Sequence, residues 1–192
     1  MKHLIPEFEK LRARFPAGFE SSLVLPCVRR IQEDRGYVAD ADIEQLAAYL
    51  GVPQIQIEEV LSFYTQFRRK PIGRWHLQFC HNVSCSMNGA ENVLAHVERR
   101  LGIKPGQTTP DGRYTLSTVE CLGSCANAPM VQIFKDTYED LTPEIMEKLL
   151  AGFAAGTPPK PGSQVGRRAS CPKGGPTTLK DFTGALSKQK VL

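Results

Sequence analysis

The hydrophobic pattern of this 192-residue chain changes at Pro71 to Gly73, from helical spacing alone to strands mixed with helices, and that change limits the folds open to it. Before it, apolar residues recur at helical spacing. Phe8, Leu11 and Phe15 share one face. Val24, Val28 and Ile31 form a stripe that Ser21 or Ser22 would cap and Gly36 would end. Ile43, Leu46, Ala47 and Leu50 form another, with Asp40 as cap and Gly51 as stop. A fourth segment, 54–65, carries Ile57, Val60, Leu61 and Tyr64. None of these short helices buries its stripe alone, so residues 1–71 are expected to pack as a small bundle.

After Gly73 the period becomes two. Trp75, Leu77 and Phe79 alternate with His76 and Gln78, a strand that ends at Cys80. The segment 89–101 reads as a helix and 114–120 as a strand. Met130 to Phe134 and Thr137 to Glu139 read as a hairpin turning at Lys135-Asp136. Thr142 caps a last helix with Pro143 in its first position. The order β-α-β-β-α predicts an α+β fold, with a small mixed sheet over 72–153 and helices packed on it. Residues 154–192 are rich in Pro and Gly and show no period, so they read as an extended tail, loose alone or ordered on a partner.

Charge follows the same division. The tail holds seven Lys or Arg against one acid, Asp181, and the rest of the chain is slightly acidic. The net charge of +4 therefore describes a tail, not a basic globule. With Phe182 as the tail's single aromatic residue, the pattern lacks the basic, aromatic-bearing face of a nucleic-acid binder. No run approaches the roughly 18 apolar residues that cross a bilayer. The start, MKHLIPEFEKLRARF, has no apolar core and carries acids early, unlike a signal or transit peptide. The expectation is a cytoplasmic chain whose thiols stay reduced, which favours metal ligands over disulfides.

Four of the six cysteines fall in two pairs, Cys80-x4-Cys85 and Cys121-x3-Cys125, with 35 residues between. Each pair follows a predicted strand. If those strands are neighbours, four sulfurs meet at one edge of the sheet. The spacing leaves several chemistries open. A thioredoxin-type dithiol uses C-x-x-C at a helix start, which neither pair has. A structural zinc ion accepts four cysteines. A [2Fe–2S] cluster also takes four thiolates, one pair per iron. The small residues Gly123, Ser124, Ala126 and Ala128 lean toward a cluster, because they let backbone N–H groups approach sulfur. They also suit any tight loop.

With its flanks, the second pair reads ECLGSCANAP (120–129). Together with GYV (36–38), SFYTQF (62–67), PDGRYTL (110–116) and GRRASCPKGGPTTL (166–179), it resembles the NuoE family, the small [2Fe–2S] subunit of NADH:quinone oxidoreductase, respiratory complex I. The resemblance runs through nearly the whole chain. It implies a helical bundle followed by a thioredoxin-like domain, and one [2Fe–2S] cluster on Cys80, Cys85, Cys121 and Cys125. It implies FMN and NADH on a flavoprotein partner rather than on this chain, and a larger multi-cluster iron–sulfur subunit as a second partner. The place implied is the peripheral arm on the cytoplasmic face of a bacterial inner membrane, without membrane insertion. Activity would belong to the complex, not to the chain alone. Related subunits of NAD-reducing hydrogenases and NAD-dependent formate dehydrogenases share the pattern, and a structural zinc protein with four cysteine ligands is the competing class.

Other residues have blander readings. Cys27 sits among Leu25, Pro26 and Val28 as a small core residue. Cys171 has no partner cysteine nearby and reads as a free thiol. His81, inside the first cysteine loop, is a conceivable ligand that four cysteines make superfluous. His96 is expected in solvent, as is the run Arg68-Arg69-Lys70 at a helix end.

Overall fold

The structure is a computed structural model that describes residues 1–172, 174, 175, 177 and 178, and the rest of the tail lies outside the described residues. The chain divides into two compact units, Met1–Ile72 and the part from Gly73 onward. Among the described residues no helix is long and apolar enough to cross a membrane.

The first unit contains α1 (Ile5–Arg12), α2 (Val24–Arg35), α3 (Asp40–Leu50) and α4 (Gln54–Phe63), with 3-10 turns before α1 and α2. The stripes read from the sequence meet in one core: Phe8, Val28, Leu46 and Ile57, one from each helix, are fully buried. The helix starts differ from expectation. Ser21 and Ser22 lie in the 3-10 turn before α2, which has no side-chain cap bond. At α3 the cap position is Ala39, and the side chain that satisfies the helix start is Asp42. Its buried carboxylate accepts the Ala39 N–H at 2.9 Å and an Arg35 N–H at 2.7 Å. A carboxylate three residues in takes the role expected of Asp40, because only there can it fold back onto the free backbone donor. Asp40 instead pairs with Arg69, which also holds Glu58. The basic run thus ties two helices together: Arg69 bridges their acids, and the Arg68 carbonyl accepts the Val38 N–H.

The second unit has β1 (Trp75–Cys80), α5 (Val83–Met87), α6 (Ala90–Leu101), β2 (Tyr114–Val119), β3 (Met130–Ile133), β4 (Asp136–Glu139), α7 (Pro143–Ala154) and β5 (Gly162–Ser163). The sheet order is β2-β1-β3-β4-β5. The strands β1 and β2 are parallel and in register from Trp75 opposite Tyr114 to Cys80 opposite Val119, so they end level. Antiparallel β3 lies on the other side of β1, and β4 completes the hairpin. Leu77, Leu116 and Val131 of the sheet share a core with Val93 and Val97 of α6 and with Met146 and Leu149 of α7. Thr142 caps α7 as expected, accepting the Ile145 N–H at 3.3 Å. His96 is half-buried on α6, 3.3 Å from Glu147 of α7 rather than in open solvent.

Two elements depart from the expected pattern. The short helix α5 occupies what reads as loop. Part of the expected tail folds back as β5, parallel to β4 through Tyr138–Gly162 and Glu139–Ser163. The opposite edge is also covered: the segment 106–109 runs beside β2, where the Gly106 N–H donates to the Leu116 carbonyl at 2.7 Å and the Thr109 N–H to the Tyr114 carbonyl at 2.8 Å.

Gly73 sets where β1 begins. Its N–H donates to Thr115 Oγ1 at 2.7 Å, and a Cβ there would lie 2.9 Å from backbone atoms of Tyr114. Gly73→Ala should push β1 away from β2 and cost about 1–3 kcal/mol, the usual range for overpacking. A fall in the urea midpoint measures it, and an unchanged midpoint contradicts the close approach.

Candidate metal centre

Because β1 and β2 end level, the chain leaves both strands at the same sheet edge. Cys80 is the last residue of β1. Two residues later Asn82 caps α5, its Oδ1 accepting the Val83 N–H at 2.9 Å, and α5 places Cys85 back over the strand end. Both thiols are buried, each 2% exposed. They share an apolar floor with Ala90 and Met130, against which Leu122 and Ala128 of the second loop also pack. After β2 the chain turns through Cys121 and Gly123, the latter at φ 90°, and Cys125 opens a 3-10 turn, Cys125–Asn127. Cys121 and Cys125 are exposed, with their sulfurs 3.4 Å apart.

Polar contacts tie the loops to each other. Asn82 Nδ2 donates to Glu120 Oε2 at 2.8 Å. The Ser84 hydroxyl of α5 lies across the gap from Cys125 and favours its thiolate. The backbone N–H groups of Gly123 and Met130 lie near the sulfurs of Cys121 and Cys85 respectively and favour their thiolates. Of these groups only Gly123 is legible in the sequence, as a small residue in the second cysteine loop; Ser84 and Met130 carry no such signal.

The two pairs differ electrostatically. Burial, then the neighbouring Cys80, pushes the Cys85 thiol up to about 12. The Gly123 N–H and the Cys125 thiol hold Cys121 below the ordinary thiol value, and the proton shared with Cys121 holds Cys125 above it. Cys121 and Cys125 therefore titrate together, as a pair. Burial likewise raises the Cys27 thiol to about 12, in keeping with a core position.

The sulfurs are gathered two and two. Among the described residues, no three His, Cys, Asp or Glu side chains close around one ion position. A two-iron cluster needs pairs, since each iron takes two protein thiolates. Soft sulfur ligands, N–H donors aimed at sulfur and an apolar floor suit such a group. His81 stands outside it, with Nε2 3.6 Å from Glu120. Cys171 is half-buried in the C-terminal segment, and its carbonyl accepts a long 3.5 Å bond from Arg167.

A small mixed sheet with two cysteine loops at the level ends of parallel strands defines a class. A family model of the thioredoxin-like [2Fe–2S] ferredoxins matches residues 8–154, and the chain belongs to that family. Within it, the chain is similar to the first of two E-type NADH-quinone oxidoreductase subunits of Rhizobium meliloti, 43% identical over 181 residues. That match covers 93% of this chain and 66% of the relative, so the chain spans about two thirds of that protein's length. It is also 43% identical over 149 residues to the second E-type protein of the same organism, covering 78% of this chain and 88% of the relative. Subunit 2 of the Thermus thermophilus NADH-quinone oxidoreductase is 38% identical, with 77% and 82% covered. In fold the chain is similar to part of an NAD+-reducing [NiFe]-hydrogenase crystal structure, with a TM-score of 0.62 and 22% identity over 70% of this chain and 23% of that one.

Proposed function

We propose that this chain is the electron-carrying subunit of the NADH-oxidising module of an NADH:quinone oxidoreductase. In this reading residues 1–71 are a helical domain and 72–153 carry one [2Fe–2S] cluster on Cys80, Cys85, Cys121 and Cys125. The observation that supports it best is the two-and-two grouping of thiols at the level ends of β1 and β2. When bound, such a cluster takes up and releases one electron.

The chain's own residues set the conditions for that. The N–H groups of Gly123 and Met130 and the Ser84 hydroxyl stabilise negative charge on sulfur and so favour the reduced state. The apolar floor under Cys80 and Cys85 opposes added charge, because it lowers the local dielectric. The exposed pair offers the edge where an electron enters. The reaction asks for no general acid, base or nucleophile from this chain. NADH and FMN belong to the flavoprotein partner, and a multi-cluster iron–sulfur subunit is the second neighbour, on the cytoplasmic side of the membrane. The likeness to the hydrogenase reaches the fold, whereas the identity to the NADH-quinone oxidoreductase relatives favours the quinone-reducing complex.

The test is anaerobic purification with iron, sulfide and zinc analysis, and EPR before and after dithionite. A cluster gives equal iron and sulfide, silence when oxidised and a spin-one-half signal when reduced. Zinc without iron in a reconstituted sample would overturn the reading in favour of a structural zinc protein with four cysteine ligands.

A further inference from the structure

The C-terminal segment meets the second cysteine loop through a set of polar contacts that neither the sheet nor the core requires. Asn127, two residues beyond Cys125, is 4% exposed. Its Nδ2 donates to Glu139 Oε2 at 2.7 Å and to the Ala169 carbonyl at 2.9 Å. Its Oδ1 is buried without a hydrogen-bond partner. An amide that leaves its acceptor unsatisfied is held for its two donors, since apolar packing alone would favour a hydrocarbon side chain there. Glu139, at the end of β4, also accepts the Ser124 hydroxyl at 3.0 Å, so one carboxylate grips the loop on both sides of Cys125.

Arg167 makes the second connection. Its Nε lies 2.9 Å from Asp140 Oδ1 in a mostly buried ion pair. Its Nη1 reaches the Ala126 carbonyl at 3.4 Å and the Cys171 carbonyl at 3.5 Å. Ser163 completes the frame: its hydroxyl donates to Asp140 Oδ2 at 2.6 Å and accepts the Arg167 N–H at 3.0 Å. A cleft of about 270 Å³ remains between loop and segment, lined by Gly123, Ser124, Asn127 and Ala169 among others. Discrete polar bonds, not close apolar packing, fasten the two together.

We propose that Asn127 and Arg167 are positioning residues: they latch the 163–171 segment onto the Cys121–Cys125 loop and thereby fix the two exposed sulfurs. The buried pair is held by the sheet and by α5, whereas the exposed pair sits on a short turn that is tied to α5 through Asn82 and Glu120, to the floor through Leu122 and Ala128, and to the C-terminal segment through this latch. The inference rests on the reading that these sulfurs hold a [2Fe–2S] cluster. Loosening the latch alters the geometry at one iron while leaving all four ligands in place.

The test uses the full chain, reconstituted with iron and sulfide, as wild type, Asn127→Ala, Arg167→Ala and Arg167→Lys. The expected result is that both alanine variants bind a cluster but show changed g values and a shifted reduction potential. They should also lose iron to a bathophenanthroline chelator about tenfold faster, the lower end of what outer contacts contribute at metal sites. Arg167→Lys keeps the charge beside Asp140 but loses the planar fork, so it should fall between wild type and alanine. Wild-type g values and potential in both alanine variants would overturn the proposal, even if the segment exchanges hydrogen faster. If Asn127→Ala does not fold, the Arg167 series decides alone. If the wild type binds zinc or no metal, the cluster reading fails separately. Hydrogen exchange then judges the latch: faster exchange in 121–129 of Arg167→Ala supports it, and unchanged exchange there overturns it.

Discussion

Cys85→Ser is expected to remove the visible absorption and the EPR signal of the chain altogether, whereas Cys125→Ser should leave a weaker, altered signal. The difference follows from burial in the proposed ligand set. Cys85 is 2% exposed, on the inner side of α5 and against Met130, so no outside ligand can reach the position its sulfur leaves. Its serine hydroxyl, in that apolar floor, would have to ionise against a desolvation cost larger than the one that already raises the thiol to about 12. Cys125 is exposed and beside the Ser84 hydroxyl, where water or an added thiol can complete the iron. Iron per chain and EPR of the two purified variants check this. Equal retention of the cluster in both would contradict the asymmetry, and retention in Cys85→Ser would remove it from the ligand set.

Leu116→Ala should give a large loss of stability in the second unit. Leu116 is fully buried in β2, opposite Leu77 of β1, and shares the core with α6 and α7. Both strands must lie in place for the cysteine loops to meet. Truncation removes buried methyl groups and leaves a cavity in a layer that cannot collapse without shifting the parallel pair, a cost of about 2–5 kcal/mol. In a chain of this size that lowers Tm by roughly 5–15 °C. Thermal unfolding followed by circular dichroism measures it. A change of only a degree or two would mean that the β1–β2 layer relaxes freely.

The sequence is most informative where one pattern runs long enough to repeat. Trp75, Leu77 and Phe79 mark β1, and Thr142-Pro143 marks the start of α7. Helix α5 is five residues, too short for a period, and only Asn82 in the HNVSC stretch points to a helix start there. Strand β5 is two residues without alternation, formed because β4 offers it a ladder rather than by any preference of Gly162-Ser163. The cysteine spacing singles out the thiols, but not their unequal burial, which arises from where α5 and Met130 fold over the first pair. The latch is less legible still. It depends on Asp140, which adopts φ 58°, a conformation an aspartate tolerates but does not advertise. The Pro- and Gly-rich composition of the tail suggests looseness, and over 162–171 polar contacts made at a distance override it.

The covered edges of the sheet carry a consequence for assembly. Strand β4 is shielded by β5, and β2 by the segment 106–109, so among the described residues neither outer strand presents a long open ladder. Edge-to-edge association, the usual hazard of small sheets, is thereby suppressed. Recruitment by strand addition is disfavoured for the same reason. A protein that docks on this domain must recognise it through side chains and loop backbone. Its orientation is then dictated by surface shape and charge, and the sheet is left undisturbed when the complex forms or comes apart.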